Sequence, residues 1–266
     1  MLQQAIDFRE ECDSLFSLLK SLDEQDWQRK TQFKEWTISD IIGHLHFGDY
    51  AADVSLRDSG AFKDFARQTA EASKGGRTHV DVMREWIANC QGNDLLNCWR
   101  SFALEMAGHF AGADPKLRVL WFGPDMSVRS SITARLMETW AHAQAIYDLL
   151  GKERQNADRI KNIVVIGMNT FGWTFTNRKL PVPTDQPYVR LTAPSGEIWE
   201  WNQPNQVNSI EGKAEEFCQV VTQVRNIVDT KLRVTGATAT SWMSMAQCFA
   251  GPPETPPGPG TRFRQR

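Results

Sequence analysis

The chain has 266 residues, of which 41% are hydrophobic and 23% are charged, with a formal net charge of −2. This length suits one large or two modest domains, and the composition is that of an ordinary globular protein. The small net charge gives no reason to expect a nucleic acid or an anionic membrane as a partner.

The N-terminal residues mix charged and apolar side chains and contain no apolar core of the kind that a secretory signal requires. No apolar run approaches the roughly 20 residues needed to span a bilayer, so a cytoplasmic location is predicted by default. The five cysteines are odd in number, widely scattered and free of Cys-x-x-Cys spacing, which predicts reduced and mostly buried thiols. They are Cys12, Cys90, Cys98, Cys218 and Cys248.

Apolar residues recur at three-to-four spacing over residues 2–22, which predicts a first helix. Thr37 and Asp40 form the pattern of a capping box, so a second helix is expected over residues 38–56, carrying His44. Asp40 also lies four residues before His44, but capping is favoured over metal ligation. His46 points to another side of the helix and is expected at the surface or in packing.

Glycines and mixed charges over residues 59–78 predict a mobile loop. An apolar stripe over residues 79–110 predicts a long third helix, interrupted or bent near Gly92. Pro115 and Pro124 break the chain before a fourth helix over residues 128–150, with Gly151 at its C-cap. Four amphipathic helices indicate an antiparallel bundle, whose inward-facing side chains are where metal sites are built.

The composition changes after Gly151. Residues 163–175 are compatible with a strand or a helix, and the pattern does not decide between them. Alternating apolar residues on both sides of a Pro-Ser-Gly turn predict a β-hairpin over residues 188–201, and residues 207–212 suggest a third strand. Helices are expected over residues 213–228 and 237–249, and the Pro- and Gly-rich residues 253–266 form an extended tail.

Glu138 and His142 are four residues apart on the fourth helix, so their side chains share one face and are close enough to hold one metal ion. Leu136, Thr139 and Ile146 lie on the same stripe, which would bury the pair. Glu105 and His109 have the same spacing, and there a helix-terminal histidine paired across one turn is favoured. A third ligand from elsewhere would distinguish the two pairs.

The segment from Trp36 to His46 contains Trp-Thr followed by an apolar helix with His-Leu, and much later the chain has Glu-x-x-x-His. This pattern resembles the DinB-like superfamily and, within it, the mycothiol-dependent maleylpyruvate isomerase-like metal-binding proteins. Residues 121–151 are also similar to an uncharacterised subgroup, some of whose members bear the label "wyosine base formation", from which we assign no function. The resemblance covers nearly all of the chain to about residue 252.

The resemblance implies a mainly α fold: a DinB-like four-helix bundle over residues 1–152, followed by a small α+β domain over residues 153–252. It also implies that His44, Glu138 and His142 bind a divalent metal. Zinc is the first choice, and the ligand set would also accept Ni²⁺, Fe²⁺ or Co²⁺.

The activity that the resemblance implies is that of a thiol S-transferase or isomerase. The metal would activate a low-molecular-weight thiol, such as mycothiol or glutathione, towards a small electrophilic substrate. Arg225 lies near a functionally important arginine of the family that meets a carboxylate, although a solvated helical arginine is the commoner state. Relatives often carry an acidic residue where this chain has Ala145, and Gln144 or Asp148 is a candidate to replace it.

Three alternatives remain open from the residues alone. The site could activate water in a zinc hydrolase, or the protein could bind a metal or an apolar ligand without turnover. The third is structural: His44 and His142 would be hydrogen-bonded core histidines, with Glu138 paired with Arg135 or a neighbour. Substrate identity is not encoded in the pattern, and both a monomer and a homodimer are compatible with it.

Overall fold

The structure is a computed structural model that describes residues 1–88 and 90–265. Its contacts divide the chain into two compact units, one spanning Met1–Ile146 and one beginning at Tyr147. The domain limits at residues 152 and 252 stay predictions.

The first unit is built from α-helices, four of which are long, and this confirms the mainly α prediction for the N-terminal part. The helices are α1 (Gln3–Leu19), α2 (Ile38–Arg57), α3 (Ser59–Ala72), α4 (His79–Ile87), α5 (Gly92–Gly112) and α6 (Val128–Leu149). Two short 3₁₀ turns, Glu24–Gln28 and Lys74–Gly76, lie in the connections. A two-residue ladder pairs β1 (Arg118–Val119) with β2 (Met126–Ser127) just before α6.

The predicted loop over residues 59–78 is wrong for its first part, because α3 occupies Ser59–Ala72. The helix begins where the Asp58 carboxylate accepts hydrogen bonds from the backbone N–H groups of Gly60 and Ala61. Phe62 and Phe65, three residues apart, are its buried side chains and pack in a cluster with Phe47 of α2. Two aromatic anchors on a polar helix were too sparse a stripe to predict it.

The predicted interruption near Gly92 is confirmed, since α4 ends at Ile87 and α5 begins at Gly92. Ala88 has φ 49° and Gly92 has φ 56°, so the chain leaves helical geometry at both positions. The fourth predicted helix is also confirmed, with Gly151 at φ 67° just beyond its end.

The second unit combines a four-stranded sheet with short helices, which confirms the α+β prediction. Its helices are α7 (Lys161–Asn169), α8 (Phe171–Thr176), α9 (Ala214–Val221) and α10 (Ala237–Met245). Its strands are β3 (Tyr188–Thr192), β4 (Ile198–Trp201), β5 (Ser209–Lys213) and β6 (Arg233–Thr235). The 3₁₀ turns Asp158–Ile160 and Ile227–Asp229 complete it.

The sheet has the order β4-β3-β5-β6. The predicted hairpin is the antiparallel pair of β3 and β4, in which Val189 faces Trp201 and Thr192 faces Ile198. The third predicted strand forms as β5, but it pairs parallel with β3. The undecided residues 163–175 are helical, and β6 was not predicted.

The core of the first unit is apolar and includes the predicted stripe of α6, since Leu136, Thr139 and Ile146 are all fully buried. Cys12, Cys218 and Cys248 are buried, as predicted for most of the cysteines, whereas Cys98 is exposed. Within residues 1–88 and 90–265, the structure contains no helix that is both long enough and apolar enough to cross a membrane.

Candidate metal centre

His44, Glu138 and His142 come together at one point of the helical unit, although 94 residues separate the first from the second. One carboxylate oxygen, Oε2 of Glu138, lies 3.3 Å from Nε2 of His44 and 3.2 Å from Nε2 of His142. One potential ligand atom from each residue can be chosen so that all three lie within 4.8 Å of one another. Two imidazole nitrogens and a carboxylate oxygen therefore converge from α2 and α6.

The protonation of these groups follows from their surroundings. Burial, with the neighbouring His142, lowers the pKa of His44 to about 3, so His44 is neutral at pH 7. Burial alone would raise the pKa of Glu138, but hydrogen bonds from His142 and His44 outweigh it and hold that pKa well below its usual range. A neutral imidazole and an ionised carboxylate are the protonation states in which these side chains ligate metals.

The two helices that carry the candidate ligands are joined by a buried ion pair. Nε of Arg135 on α6 donates to Oδ1 of Asp49 on α2 at 2.7 Å, and both side chains are buried. Trp99 donates to the other carboxylate oxygen at 3.0 Å, and Arg135 also donates to the Leu45 carbonyl at 3.2 Å. Gly48 makes room, because a Cβ there would lie 2.6 Å from a guanidinium nitrogen of Arg135.

Arg135 lies three residues before Glu138, and Asp49 lies five residues after His44. The ion pair therefore holds α2 and α6 in the register in which the candidate ligands face each other. The structural alternative paired Glu138 with Arg135 or a neighbour; Arg135 is bound to Asp49, and the partners of Glu138 are His44 and His142.

Aromatic rings from the segment before α2 cover His142. The Trp36 indole stacks on its imidazole with a centroid distance of 5.8 Å and an angle of 3°, and the Phe33 ring meets it edge-on at 4.9 Å. This segment is a tight turn in which the Thr31 N–H donates to the Trp36 carbonyl. Lys34 and Glu35 have φ values of 51° and 56°, a conformation that non-glycine residues adopt only when the surroundings enforce it.

His79 is a further residue of the centre that the sequence did not reveal. Its Nε2 lies 3.2 Å from Nδ1 of His44, the nitrogen on the far side of the ring from Glu138. His79 is the first residue of α4, after a capping box made by Thr78 and Asp81. The helix packs closely on α2, since a Cβ at Gly43 would meet Met83 and Ile87 at 3.2 and 3.1 Å. Nothing in the local pattern around His79 indicates this contact.

The donor set fits a divalent metal with an open position. Two imidazoles and one carboxylate are the protein ligands of several catalytic zinc sites, whereas closed structural sites use four protein ligands. The Glu138 side chain keeps 23% of its surface accessible, so the cluster is not sealed from solvent. The second nitrogen of His44 already has a partner in His79, as metal-binding histidines require.

The second Glu-x-x-x-His pair has a different environment. Nδ1 of His109 lies 2.6 Å from the buried carboxylate of Asp53, and its Nε2 is 3.9 Å from Glu105. The guanidinium of Arg57 lies 3.3 Å from Asp53 and 4.0 Å from Glu105. The predicted pairing of His109 with Glu105 across one turn is present, but the closest partner of His109 is Asp53. The carboxylates of Asp53 and Glu105 are also both paired with the Arg57 guanidinium.

Asp40 caps α2, as predicted. Its carboxylate accepts from the Thr37 N–H at 2.9 Å and from Arg84 of α4 through two bonds of 2.7 and 2.8 Å. His46 serves in packing, with its ring 5.2 Å from Trp86 and 5.4 Å from Phe102. Both residues therefore support the helices around the centre.

Arg225 lies in the second unit, just after α9. Its Nη2 donates to Oδ1 of Asp148 at 2.7 Å, its Nη1 donates to the Val224 carbonyl, and 12% of the side chain is accessible. Asp148, one candidate to replace the missing acidic residue at Ala145, is thus bound to an arginine. Arg225 is not in the solvated state that is commoner for such an arginine, because its guanidinium is enclosed in an ion pair; its functional role stays a prediction.

Comparisons with known proteins identify a matching family model and two relatives. The family model described as "Mycothiol maleylpyruvate isomerase N-terminal domain" matches residues 8–147. Two proteins of Mycobacterium tuberculosis, from strains CDC 1551 and H37Rv and each described as uncharacterized, are 34% identical over 247 residues. Each alignment covers 93% of this chain and 95% of the relative.

Two solved structures share the fold: crystal structures of the mycothiol-dependent maleylpyruvate isomerase and of a histidine-to-alanine mutant of that enzyme. Each aligns with a TM-score of 0.52 and covers 82% of this chain and 87% of the other. The sequence identities are 15% and 14%, so the likeness supports the fold alone.

Proposed function

Since the chain belongs to the family of the mycothiol maleylpyruvate isomerase N-terminal domain, we propose that it is a metal-dependent enzyme that activates a low-molecular-weight thiol. The thiol would be transferred to a small electrophilic substrate, or would add to it to allow its isomerisation. The observation that carries the proposal is the convergence of His44 Nε2 and His142 Nε2 on one carboxylate oxygen of Glu138.

We propose that His44, Glu138 and His142 hold the metal, with zinc as the first choice. When bound, such an ion lowers the pKa of a thiol and keeps it as a nucleophilic thiolate at neutral pH. The chain supplies ligands that are already deprotonated, because His44 is neutral and Glu138 is ionised at neutral pH. Binding therefore requires little proton release from these two side chains.

His79 gives Nδ1 of His44 a hydrogen-bond partner in either tautomer of that ring. In the structure His44 can donate from Nε2 to Glu138, which leaves Nδ1 to accept from His79. If Nε2 of His44 were to ligate a metal, the proton of the neutral ring would lie on Nδ1, and Nδ1 would donate to Nε2 of His79. His79 thus gives the ring a partner in both states and holds its orientation.

Trp36 and Phe33 have two roles in this proposal. They fix the plane of the His142 imidazole by stacking and edge contacts. They also replace water by apolar surface beside the ligand, which strengthens electrostatic interactions with an anionic sulfur.

Arg225 enters the proposal through the family resemblance alone, as a partner for a carboxylate of the thiol or the substrate. Its guanidinium has five N–H donors, so it can donate to a second anionic group while it stays bound to Asp148. Arg225→Gln is then expected to raise the KM for one of the two small molecules and to leave the metal content unchanged.

The proposal is tested by a thiol-consumption assay on the zinc-loaded protein, with mycothiol or glutathione and a panel of small electrophiles. The expected result is thiol-dependent turnover that is lost in His142→Ala. Turnover without added thiol would instead identify a zinc hydrolase. Stoichiometric metal without turnover of any substrate would identify a binding protein.

A further inference from the structure

Two of the five thiols are in contact with each other. Sγ of Cys90 lies 3.6 Å from Sγ of Cys98. Cys98 is exposed and Cys90 is half-buried, whereas Cys12, Cys218 and Cys248 are buried. Cys90 and Cys98 are therefore the two cysteines that solvent can reach.

The backbone on both sides of this contact is held in place. Cys98 lies within α5, and the Cys90 N–H donates to the carbonyl of Ile87, the last residue of α4, at 3.1 Å. A disulfide needs its sulfurs about 2.05 Å apart, so the sulfurs must approach by about 1.5 Å. Rotation about the side-chain torsions of two cysteines supplies a movement of this size.

We propose that Cys90 and Cys98 form a redox pair that a low-molecular-weight disulfide converts into an intramolecular disulfide. In the first step the Cys98 thiolate attacks one sulfur of the small disulfide, forms a mixed disulfide and releases one small thiol. In the second step the Cys90 thiolate attacks Sγ of Cys98 and releases the second small thiol. Two cysteine thiols are oxidised, one small disulfide is reduced to two thiols, and the two cysteine protons end on the released thiols.

The order of the two steps follows from the surroundings of each sulfur. Cys98 is exposed, so a dissolved disulfide reaches it first. Burial and a hydrogen bond with Cys98 raise the pKa of the Cys90 thiol to about 11. In a mixed disulfide Cys98 no longer hydrogen-bonds to Cys90 as a thiol, so that cause of the raised pKa is removed, and Sγ of Cys90 is the sulfur already in contact with Sγ of Cys98. Cys90 is therefore the resolving thiol.

The bond would tie the end of α4 to α5. Helix α4 also carries His79, which contacts His44, and Arg84, which binds Asp40. The inference itself rests on the two sulfurs and their exposure, and it is independent of the proposed metal and of the proposed activity.

The test is disulfide mapping of the full-length protein after incubation with oxidised glutathione. The protein is then unfolded, alkylated and digested with trypsin. Both cysteines fall in the single peptide between Arg84 and Arg100, so the bond appears as loss of two hydrogens and of both alkyl groups. The expected result is that this peptide is oxidised about tenfold or more faster than any peptide carrying a buried cysteine.

Two variants distinguish the roles of the sulfurs. Cys90→Ser is expected to accumulate a glutathione adduct on Cys98, and Cys98→Ser is expected to leave Cys90 free for alkylation. The proposal is overturned if the native protein keeps both thiols, or if it retains a stable adduct on Cys98 without closing the bond. Neither result depends on whether the protein binds metal or turns over a thiol.

Discussion

The helical unit contains two Glu-x-x-x-His pairs with the same spacing and different surroundings. Glu138 and His142 lie on α6, where His44 approaches from α2 and a single carboxylate oxygen faces both imidazoles. Glu105 and His109 lie at the end of α5, where His109 contacts the Asp53 carboxylate. There Arg57 forms ion pairs with Asp53 and Glu105. The i, i+4 spacing brings two side chains together, but the third group decides between a ligand set and an ion-pair network.

The two pairs also differ in what holds them. Three contacts hold the α6 pair and His44 in position. They are the buried ion pair of Arg135 with Asp49, the stacking of Trp36 on His142, and the contact of His79 with the second nitrogen of His44. The carboxylate of Glu105 is mostly exposed, with 64% of its side chain accessible. Substitutions should therefore have large effects in the first region and small ones in the second.

The largest effect is expected from breaking the ion pair between α2 and α6. Asp49→Asn would leave the Arg135 charge buried without its carboxylate, at a cost of about 3–5 kcal/mol in the free energy of unfolding. Urea unfolding of the metal-free protein measures it. A loss below about 1 kcal/mol would mean that the pair does not fix the helices.

The next effect is on metal retention. His79→Phe removes the partner of His44 Nδ1 and is expected to weaken metal binding by about 10–100-fold. Zinc competition with a chromogenic chelator measures it, and His79→Gln, which keeps a hydrogen-bonding group, should recover part of the loss. Equal affinity of all three proteins would remove His79 from the centre.

A smaller effect, with a defined pH dependence, is expected at the start of α2. Burial acts to raise the pKa of Asp40, but hydrogen bonds from Arg84 and Thr37 outweigh it, so that pKa is lowered. The Asp40 carboxylate therefore stabilises the fold above its unfolded pKa of about 3.9, and this contribution is lost as the pH falls through the lower folded value.

Asp40→Asn should consequently cost about 1 kcal/mol at neutral pH. The difference from the native protein should shrink below about pH 4 in unfolding experiments across pH. Asp64→Asn, in an exposed pair with Arg67, is the matched control and should show no comparable change. A difference that stays constant down to pH 2 would contradict the assignment.

The smallest effect is expected in the second Glu-x-x-x-His pair. Glu105→Gln removes one exposed carboxylate from the ion-pair network, which should change the free energy of unfolding by less than about 1 kcal/mol. Metal content and thiol turnover should stay at the native level. Loss of either would show that the two regions are less different than their contacts indicate.

Much of this architecture follows from the sequence. Period-3.6 stripes and the caps at Thr37 and Gly151 are local signals, so they predict the long helices and their ends. The convergence of His44 with Glu138 and His142 came from the resemblance to a family, because spacing alone gave equal support to Glu105 and His109.

What the sequence did not give depends on contacts between distant segments. Helix α3 buries only Phe62 and Phe65, and β5 pairs parallel with β3, so neither has a strong local pattern. His79 reaches His44 only because α4 packs on Gly43, and Arg225 is enclosed only because Asp148 meets it. Such contacts depend on how elements pack, which no local window contains.

The central claim is tested most directly by metal analysis of three purified proteins: native, His142→Ala and His109→Ala. After zinc loading and removal of unbound ions, the native protein and His109→Ala should each retain near-stoichiometric zinc, and His142→Ala should retain little. Equal retention by all three proteins would contradict the account, as would a loss in His109→Ala as large as that in His142→Ala.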